Sequence, residues 1–339
     1  MSSYLASPDR YQSMDYRRCG TSGLKLPAIS LGLWHNFGGS DDHDEARTLL
    51  HRAFDAGITH FDLANNYGPP PGSAESVFGR FLRQDFSDYR DELILSTKAG
   101  HLMWDGPYGD WASKKHLTAS LDQSLKRMAV DYVDIFYTHR PDPETPIEET
   151  AEALAGFVRQ GKALYIGISK YDGESTRTLT QLLREQHVPV IIHQHIYNML
   201  NRWPENAGVF PVADELGLGC ICFSPLAQGM LTEKYLDAIP QGSRADRPEG
   251  FLTSDQVEEN RQTLRGLKPI AEERGESLAT MALAWLLQNP SVTSALIGAR
   301  TVAQLQGNLL ALKSPTFSDE QVQRINTVTE VLQKTAQSG

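Results

Sequence analysis

Short apolar runs alternate along the chain with longer segments whose apolar residues recur at helical spacing. The short runs predict strands at 26–32, 60–65, 93–98, 131–138, 163–169, 190–195, 219–224 and 293–298. The longer segments predict helices at 43–56, 74–84, 114–129, 146–160, 173–186 and 208–217. Several strands are apolar on both faces, which is typical of parallel strands covered by helices. Eight strand–helix repeats of this kind predict an α/β fold, a (β/α)8 TIM barrel.

An open, doubly wound sheet is the competing architecture for alternating strands and helices. Its dinucleotide-binding form carries a G-x-G-x-x-G turn after a strand, and no predicted strand is followed by one. That site therefore has no support in the sequence, and the barrel is the preferred prediction.

Two segments depart from the plain alternation. Residues 16–25 hold a Gly-containing turn between short β-prone pieces, which predicts a hairpin across the floor of the barrel. The gap before the last strand contains a long loop, 231–254, and helices near 255–274 and 277–289. Because this loop leaves the carboxyl end of a strand, where barrel active sites lie, we expect it to be functional.

The 339 residues are predicted to form an N-terminal extension (1–15) and a single barrel domain (16–339) with a final helix at 318–335. Acidic residues outnumber Lys and Arg by 42 to 32, and the net charge of −10 argues against nucleic-acid or anionic-membrane partners. Three cysteines cannot form a disulfide framework, and their odd number points to a reducing compartment. With no apolar signal region and no membrane-length apolar run, we expect a cytoplasmic protein.

Polar side chains stand where the predicted strands end, at the edge where barrel enzymes place their chemistry. Asp62 and Tyr67 follow the second strand, Lys98 ends the third and His139 ends the fourth. A nearby ammonium stabilises a tyrosinate, so Lys98, held by Asp62, is expected to lower the pKa of Tyr67. Tyr67 can then donate a proton to a carbonyl oxygen that His139 also hydrogen-bonds. Such a site performs acid-assisted reduction and needs a nicotinamide cofactor as its source of hydride.

The sequence His193-Gln194-His195 supports an alternative function, because metal-dependent barrel hydrolases carry a similar histidine pair. Strand alternation places both histidines on the face opposite Gln194. The first strand ends in residues 32–34 (GLW) and the last in residues 298–300 (GAR), which provide none of the ligands such hydrolases place there. We therefore expect no metal.

Four motifs, in order along the chain, make it similar to a known family. They are residues 57–68 (GITHFDLANNYG), 96–98 (STK), 131–140 (DYVDIFYTHR) and 161–169 (GKALYIGIS). Together they resemble the aldo-keto reductases, from about residue 16 to 335. The chain most resembles the branch that holds bacterial reductases of L-glyceraldehyde 3-phosphate and the potassium-channel β subunits, and residues 66–75 (NYGPPPGSAE) look particularly like the reductases. The histidine at 139 favours the reductases, because the channel subunits tend to carry asparagine there.

The resemblance implies NADPH bound across the mouth of the barrel. Ser169 and Gln194 would hydrogen-bond the carboxamide, and Phe223 would stack on the nicotinamide ring. Three positions depart from the family pattern. Lys170 stands where many members carry Asn or Arg, Gly307 stands where the family often has a Glu that contacts the adenine, and Arg300 replaces a frequent Ser and favours NADPH over NADH. The implied cofactor residues are Trp34, Asp62, Ser169, Lys170, Gln194, Phe223, Ser224, Pro225, Leu226, Ala227, Gln228, Gly229, Lys234, Arg244, Gly298, Arg300, Gln304 and Asn308.

The activity that the resemblance implies is the NADPH-dependent reduction of small aldehydes, with L-glyceraldehyde 3-phosphate and methylglyoxal-like compounds first. The alternative is a regulatory subunit that holds NADPH with little turnover, as the channel β subunits do. The expected partners are a small aldehyde and further copies of the chain in a homo-oligomer, with no nucleic acid and no membrane. The expected catalytic residues are Asp62, Tyr67, Lys98 and His139, and the expected substrate contacts are Trp34, Tyr67, His139 and Arg140.

Overall fold

The computed structural model describes residues 4–246 and 251–336, and at its centre eight parallel strands close into a barrel. An antiparallel hairpin comes first, with strands β1 (Tyr16–Arg18) and β2 (Lys25–Pro27). Consecutive barrel strands pair with each other, and the last pairs with the first, as the (β/α)8 prediction requires. The barrel strands are β3 (Ile29–Gly32), β4 (His60–Asp62), β5 (Ile94–Ala99), β6 (Val133–Thr138), β7 (Ala163–Ser169), β8 (Val190–Ile196), β9 (Gly219–Phe223) and β10 (Val292–Ile297).

Helices connect the strands and cover the outside of the barrel, close to their predicted positions. Side chains of Asp42, Ser113 and Asp172 cap three of them by accepting a hydrogen bond from a first-turn N–H. A four-residue helix was not predicted, because one turn leaves no periodic pattern. The helices are α1 (His43–Asp55), α2 (Ser73–Asp85), α3 (Lys114–Met128), α4 (Ile147–Arg159), α5 (Gly173–Glu185), α6 (Trp203–Asn206), α7 (Val209–Leu216), α8 (Ser254–Glu273), α9 (Leu278–Leu287), α10 (Val302–Leu309) and α11 (Asp319–Ala336).

The predicted strand 26–32 is two elements in the structure, divided at Ala28. The N–H of Ala28 donates to the carbonyl of Asp15 at 2.7 Å, and its own carbonyl accepts from the N–H of Ala295 at 2.8 Å. As a result β2 stays in the hairpin, while β3 enters the barrel beside β10. A continuous apolar run does not reveal this division, since both pieces are buried.

The hairpin closes the floor of the barrel, as the sequence predicted. Cys19 and Leu26 are fully buried among the side chains that fill the barrel. The N–H of Thr21 donates to the carbonyl of Gly217, just before β9, at 2.9 Å. A Cβ on Gly219 would lie 2.6 Å from Sγ of Cys19, so the close approach of hairpin and strand requires glycine there.

The segment between β9 and β10 is the largest departure from strand–helix alternation. Short 3-10 helices at Ala227–Gly229, Glu233–Tyr235 and Arg244–Asp246 follow β9. The Glu233 carboxylate accepts a hydrogen bond at 2.8 Å from the N–H of Leu278, at the start of α9, which ties the segment to the helices beyond it. Of the predicted loop 231–254, residues 247–250 lie outside the described residues.

The first described residues and the final helix pack onto the outer helices. The hydroxyl of Tyr4 donates to Asp55 of α1 at 2.7 Å, and its ring stacks on His51 with centroids 3.9 Å apart. Arg324 of α11 forms an ion pair with Glu273 of α8 at 2.5 Å. Within the described part of the chain, none of the helices combines the length and the apolar character that crossing a membrane would need.

Candidate active site

Four side chains singled out from the sequence meet at the carboxyl end of the barrel strands. Asp62 ends β4 and Lys98 lies near the end of β5, with Asp62 in register with Ser96. His139 directly follows β6, where its N–H donates to the carbonyl of Ala99 at 2.8 Å. Tyr67 follows β4 in a turn. Parallel strands end at one edge of a barrel, so these neighbours bring an acid, an ammonium, a phenol and an imidazole together.

Lys98 is the centre of this cluster. Its Nζ donates to Oδ2 of Asp62 at 2.5 Å, to the carbonyl of Leu63 at 2.6 Å and to the hydroxyl of Tyr67 at 3.4 Å. Both members of the Lys98–Asp62 ion pair are fully buried. Burial lowers the pKa of Lys98, and the Asp62 carboxylate opposes that shift. The ammonium therefore has a fixed position beside the phenol.

The electrostatics of Tyr67 differ from the expectation that Lys98 lowers its pKa. Burial raises the pKa of the phenol well above 10, and the charge of Asp62 raises it further. The expectation failed because it considered the ammonium alone, without the desolvation of the phenol or the carboxylate behind Lys98. Tyr67 therefore keeps its proton at neutral pH, which is the state a proton donor needs.

His139 is held as a neutral imidazole. Burial lowers its pKa well below 6.5, and the positive charges of Lys98, Lys170 and Arg140 act in the same direction. Its ring lies 6.1 Å from the ring of Tyr67, measured between centroids. The buried Nδ1 has no hydrogen-bond partner in residues 4–246 and 251–336. A neutral imidazole can donate one hydrogen bond, so His139 can direct an oxygen placed near Tyr67.

His101 is a neighbour of this site that the sequence analysis missed. Its ring packs edge-on against that of His139, with centroids 4.4 Å apart. Burial lowers the pKa of His101 to about 4, with further contributions from Lys170 and Arg140, so it too is neutral. No local pattern marks it, since it lies in the irregular segment after β5.

The second oxygen of Asp62 receives two further hydrogen bonds. Ser96 Oγ donates to Oδ1 at 2.6 Å, and Nε2 of Gln194 donates to the same oxygen at 3.2 Å. Gln194 therefore points into the mouth of the barrel, on the side that the sequence predicted. Ser169 is in register with Gln194, and its buried hydroxyl has no partner in the described part of the chain.

The two histidines that flank Gln194 point out of the barrel instead. The rings of His193 and His195 are 5.2 Å apart and nearly perpendicular, and His195 packs on Phe210 of α7 with centroids 5.1 Å apart. Within residues 4–246 and 251–336, no group of three or more His, Cys, Asp or Glu could hold a metal ion. The cysteines Cys19, Cys220 and Cys222 are free and buried.

Aromatic rings form one wall of the mouth. Trp34 lies 6.1 Å from Tyr67 and 5.1 Å from Phe251, measured between ring centroids. Phe251 is 68% exposed and stands in the segment between β9 and α8. The family resemblance implied that Trp34 and Tyr67 both contact the substrate. The sequence analysis missed Phe251, because an exposed aromatic in a long loop has no periodic signal.

Two cations lie on another side of the mouth, and they differ in their partners. Arg140 donates to the carbonyl of Gly100 and to Asp110, both at 2.7 Å, and lies over Trp111 at 3.7 Å. Lys170 has no ion pair within the described residues, and its Nζ lies 5.8 Å from the centre of the Phe223 ring. Burial lowers the pKa of Lys170 to about 8, with help from Lys98 and Arg140.

Lys170 also has a backbone conformation that is rare for its type. Its φ is +64°, in the left-handed region that glycine favours, and its N–H donates to the carbonyl of Gln194 at 3.0 Å. Such strain persists only where the surroundings enforce it, and it is common at functional sites. The turn after β7 therefore holds, at the mouth, a half-buried ammonium that has no ion pair among residues 4–246 and 251–336.

The residues expected to hold cofactor phosphates follow β9. Ser224, Ala227 and Gln228 have φ values of +51°, +47° and +59°, so this turn is tightly wound. Asn198 anchors it by donating to the carbonyl of Ser224 at 2.9 Å. Lys234 and Arg244 follow in 3-10 helices, and Lys234 is exposed. The run expected to contact the cofactor here is Ser224, Pro225, Leu226, Ala227, Gln228 and Gly229.

The remaining expected cofactor residues follow β10, the neighbour of β9 in the barrel. A Cβ on Gly298 would meet no atom within 4 Å, so the space above it is open. The N–H of Arg300 donates to Gln304 at 2.8 Å, and its side chain is exposed. Thr301 caps α10, and Asn308 is buried on that helix. Arg300 therefore stands beside a helix N-terminus, a combination that favours anions.

Comparison with known proteins agrees with this geometry. Residues 28–330 match the family model described as Aldo/keto reductase family. The chain is 57% identical to the L-glyceraldehyde 3-phosphate reductase of Escherichia coli (strain K12), over 95% of this chain and 94% of that protein. It is 37% identical to probable voltage-gated potassium channel β subunits of Oryza sativa subsp. japonica, over 96% of this chain and 99% of that protein, and of Arabidopsis thaliana, over 88% and 91%.

The higher identity to the bacterial reductase agrees with the preference that His139 indicated from the sequence. The matched region spans all barrel strands and all four residues that meet around Lys98. The chain belongs to the aldo/keto reductase family.

Proposed function

We propose that this protein reduces L-glyceraldehyde 3-phosphate, and related short aldehydes, to the corresponding alcohol with NADPH. The observation that carries the proposal is the protonated phenol of Tyr67 beside an ammonium that Asp62 fixes in place. A protonated donor next to a fixed positive charge is what carbonyl reduction requires from a protein. The named activity of the 57% identical bacterial protein provides the substrate.

The side chains at the mouth suit a nicotinamide cofactor. Ser169 has a buried hydroxyl without a partner in the described residues, beside Gln194, and this pair suits a carboxamide. Phe223 offers a ring, and the cationic Lys234, Arg244 and Arg300 suit the cofactor phosphates. When bound, NADPH supplies the hydride that the protein itself lacks.

The protein's own part in the reaction is proton delivery. Tyr67 donates its proton to the carbonyl oxygen as negative charge develops there. The Lys98 ammonium, 3.4 Å away, then stabilises the tyrosinate that is left. His139, as a neutral donor, directs the same oxygen. Trp34 and Tyr67 limit the space around the aldehyde.

Lys170 and Arg140 favour a phosphorylated substrate. Arg140 is fixed by Asp110 and Trp111, so it contributes positive charge from a constant position and has little freedom to reach a ligand. Lys170 is half-buried and lacks an ion pair in the described part of the chain, so an anion would relieve the repulsion it feels. We propose that Lys170 binds the substrate phosphate, although the family resemblance placed it with the cofactor.

The test is steady-state NADPH oxidation by the purified protein. L-Glyceraldehyde 3-phosphate, unphosphorylated L-glyceraldehyde and methylglyoxal are compared, and each is repeated with NADH. We expect the highest kcat/KM for the phosphorylated aldehyde with NADPH. Negligible turnover on every aldehyde, together with tight NADPH binding, would instead favour the regulatory subunit.

The assembly follows from the family resemblance, and the location from the odd number of cysteines, which points to a reducing compartment. We propose a homo-oligomer in the cytoplasm, and light scattering on the purified protein at several concentrations measures its mass. A mass of a single 37.7 kDa chain at all concentrations would contradict the oligomer.

A further inference from the structure

A buried chain of hydrogen bonds runs from the floor of the barrel to Asp62. Ser294 Oγ donates to the carbonyl of Pro27 at 2.7 Å and contacts Ser30 Oγ, also at 2.7 Å. His60 bridges the gap, with Nδ1 3.0 Å from Ser30 Oγ and Nε2 2.9 Å from Ser96 Oγ. Ser30, His60, Ser96 and Ser294 have no exposed surface. The expected mechanism makes no use of this chain.

The protons available to the chain are too few for all its contacts. Its contacts, from Pro27 to Asp62, number five, and each needs one proton between the two heavy atoms. Three serine hydroxyls and a neutral imidazole supply four protons. A doubly protonated His60 would supply the fifth, but burial lowers the pKa of His60 to about 4. One contact therefore lacks a proton at neutral pH.

The strength of each contact decides where the missing proton falls. Ser96 donates to a carboxylate at 2.6 Å, and hydrogen bonds to an ionised acceptor are about twice as strong as neutral ones. The proton of Ser96 is thus committed to Asp62, and Ser96 Oγ can only accept from His60. His60 then carries its proton on Nε2, and its Nδ1 accepts from Ser30. The shortfall lies among the neutral groups at the floor.

We propose that His60, as the Nε2–H tautomer, is a positioning residue. By donating to Ser96 Oγ it leaves the Ser96 hydroxyl to donate to Asp62, and Asp62 in turn fixes Lys98 beside Tyr67. The proposal rests on the proposed reduction, in which Tyr67 donates the proton. In the alternative Nδ1–H tautomer, His60 would donate to Ser30 and its bare Nε2 would accept the hydroxyl proton of Ser96, which would withdraw that proton from Asp62. Asp62 would then hold Lys98 with one fewer constraint on its orientation.

The tautomer is measured directly on the wild-type protein. Long-range 1H–15N correlation spectra of protein labelled with 15N-histidine distinguish the two tautomers and the cation, and a His60→Gln sample identifies the His60 signal. We expect the Nε2–H pattern at neutral pH, with or without NADPH. An Nδ1–H pattern or a doubly protonated ring overturns the proposal. This measurement requires no turnover, so it is independent of the proposed function.

The coupling to catalysis is measured with single and double variants. His60→Leu and Ser96→Ala are each expected to lower kcat by about 10- to 100-fold, the range for losing a hydrogen bond to a charged group, with KM for the aldehyde nearly unchanged. The double variant is expected to lose no more than Ser96→Ala alone, because His60 acts through Ser96. Additive losses, or losses confined to KM, overturn the proposal.

Two further variants separate positioning from packing. His60→Gln keeps a donor for Ser96 and is expected to retain most of kcat. Ser294→Ala removes the floor end of the chain and is expected to leave kcat unchanged, with circular dichroism confirming that each variant is folded. Loss of kcat in Ser294→Ala as large as in His60→Leu would show that packing alone is responsible and would overturn the proposal. A wild-type protein without reductase activity would refute the proposed function and leave the tautomer result intact.

Discussion

The residues proposed to support proton transfer and those proposed to hold the cofactor phosphates are built in opposite ways. Asp62, Ser96 and Lys98 lie on strands, are fully buried and are joined by hydrogen bonds of 2.5 and 2.6 Å. Residues 224–246 instead lie in turns and short 3-10 helices, and Lys234 on them is exposed. The first group is complete without any ligand, whereas the second presents the Lys234 ammonium to solvent.

Proton transfer and phosphate binding need different kinds of electrostatic interaction. Charges in a buried site interact strongly and cost little reorganisation during the reaction, so proton transfer benefits from groups fixed on strands. Exposed cations on turns are screened by water and salt, so each one contributes modestly to binding a phosphate. We call Asp62, Ser96 and Lys98, together with the neighbouring Tyr67, the strand group, and residues 224–246 the turn group. Changes in the strand group should therefore affect the rate of reduction and the stability of the fold, and changes in the turn group should affect cofactor affinity.

The largest effect is expected from Tyr67→Phe, which removes the proposed proton and keeps the ring. We expect kcat for aldehyde reduction to fall by about 10²- to 10⁴-fold, the usual contribution of a general acid. NADPH affinity, measured by fluorescence titration, should stay close to that of the wild type. Turnover like that of the wild type would refute the assignment of Tyr67.

Lys98→Met tests whether the strand group also stabilises the fold. It leaves the Asp62 carboxylate buried without its charged partner, and breaking a buried pair in this way costs about 3–5 kcal/mol. Urea denaturation monitored by circular dichroism gives the free energy of unfolding. The double variant Asp62→Asn/Lys98→Met should recover part of the loss, because no charge remains buried. The control Lys268→Met, in an exposed pair with Glu272, should leave the free energy of unfolding unchanged.

Lys170→Gln probes a residue whose burial lies between that of the strand group and that of the turn group. Lys170 is half-buried and has no ion pair within the described residues. We expect KM for L-glyceraldehyde 3-phosphate to rise by about tenfold or more, as for a hydrogen bond to a charged group, and KM for unphosphorylated glyceraldehyde to change little. NADPH affinity should be retained. A matching loss of NADPH affinity would return Lys170 to the cofactor site that the family resemblance implied.

The same lysine predicts a pH dependence. The pKa of Lys170 is about 8, so its ammonium is charged below that pH and loses its charge above it. The substrate phosphate is already ionised there, since its second pKa is about 6. We expect kcat/KM for the phosphorylated aldehyde to fall above pH 8 more steeply than for the unphosphorylated one. Lys170→Gln should remove the difference between the two profiles.

The smallest effect is expected from Lys234→Gln in the turn group. Its ammonium is exposed, so we expect only a few-fold loss of NADPH affinity, which added salt should diminish further. The loss should be smaller for NADH, which lacks the 2′-phosphate. Lys268→Gln on α8 is the matched surface control. A fall in kcat as large as that expected for Tyr67→Phe would contradict the division between the strand group and the turn group.

Much of the fold followed from local patterns. The strands 163–169 and 190–195 were predicted almost to the residue, because buried parallel strands are continuous apolar runs bounded by helices. The floor hairpin followed from a Gly-containing turn between β-prone pieces. The division of 26–32 at Ala28 could not be predicted from a local pattern, because it depends on the strands with which each half pairs.

In the site, too, some features could be predicted from local sequence and others depend on tertiary packing. Strand ends place Asp62, Lys98 and His139 at one edge once a barrel is assumed, so their meeting could be predicted from order alone. The raised pKa of Tyr67 could not, because desolvation depends on every element packed around the phenol. His60 and His101 were missed for a related reason: one bridges residues far apart in the chain, and the other lies in an irregular segment.

Residue order along this chain is thus sufficient for the barrel, its floor and the meeting of Asp62, Lys98 and His139 at one edge, because periodicity and strand ends are local properties. Protonation states, the confinement of Arg140 by Asp110 and the proton shortfall in the hydrogen-bond chain through His60 arise only when separate parts of the chain come together. Burial and charge act through space, and the order of residues does not record the distances that set them.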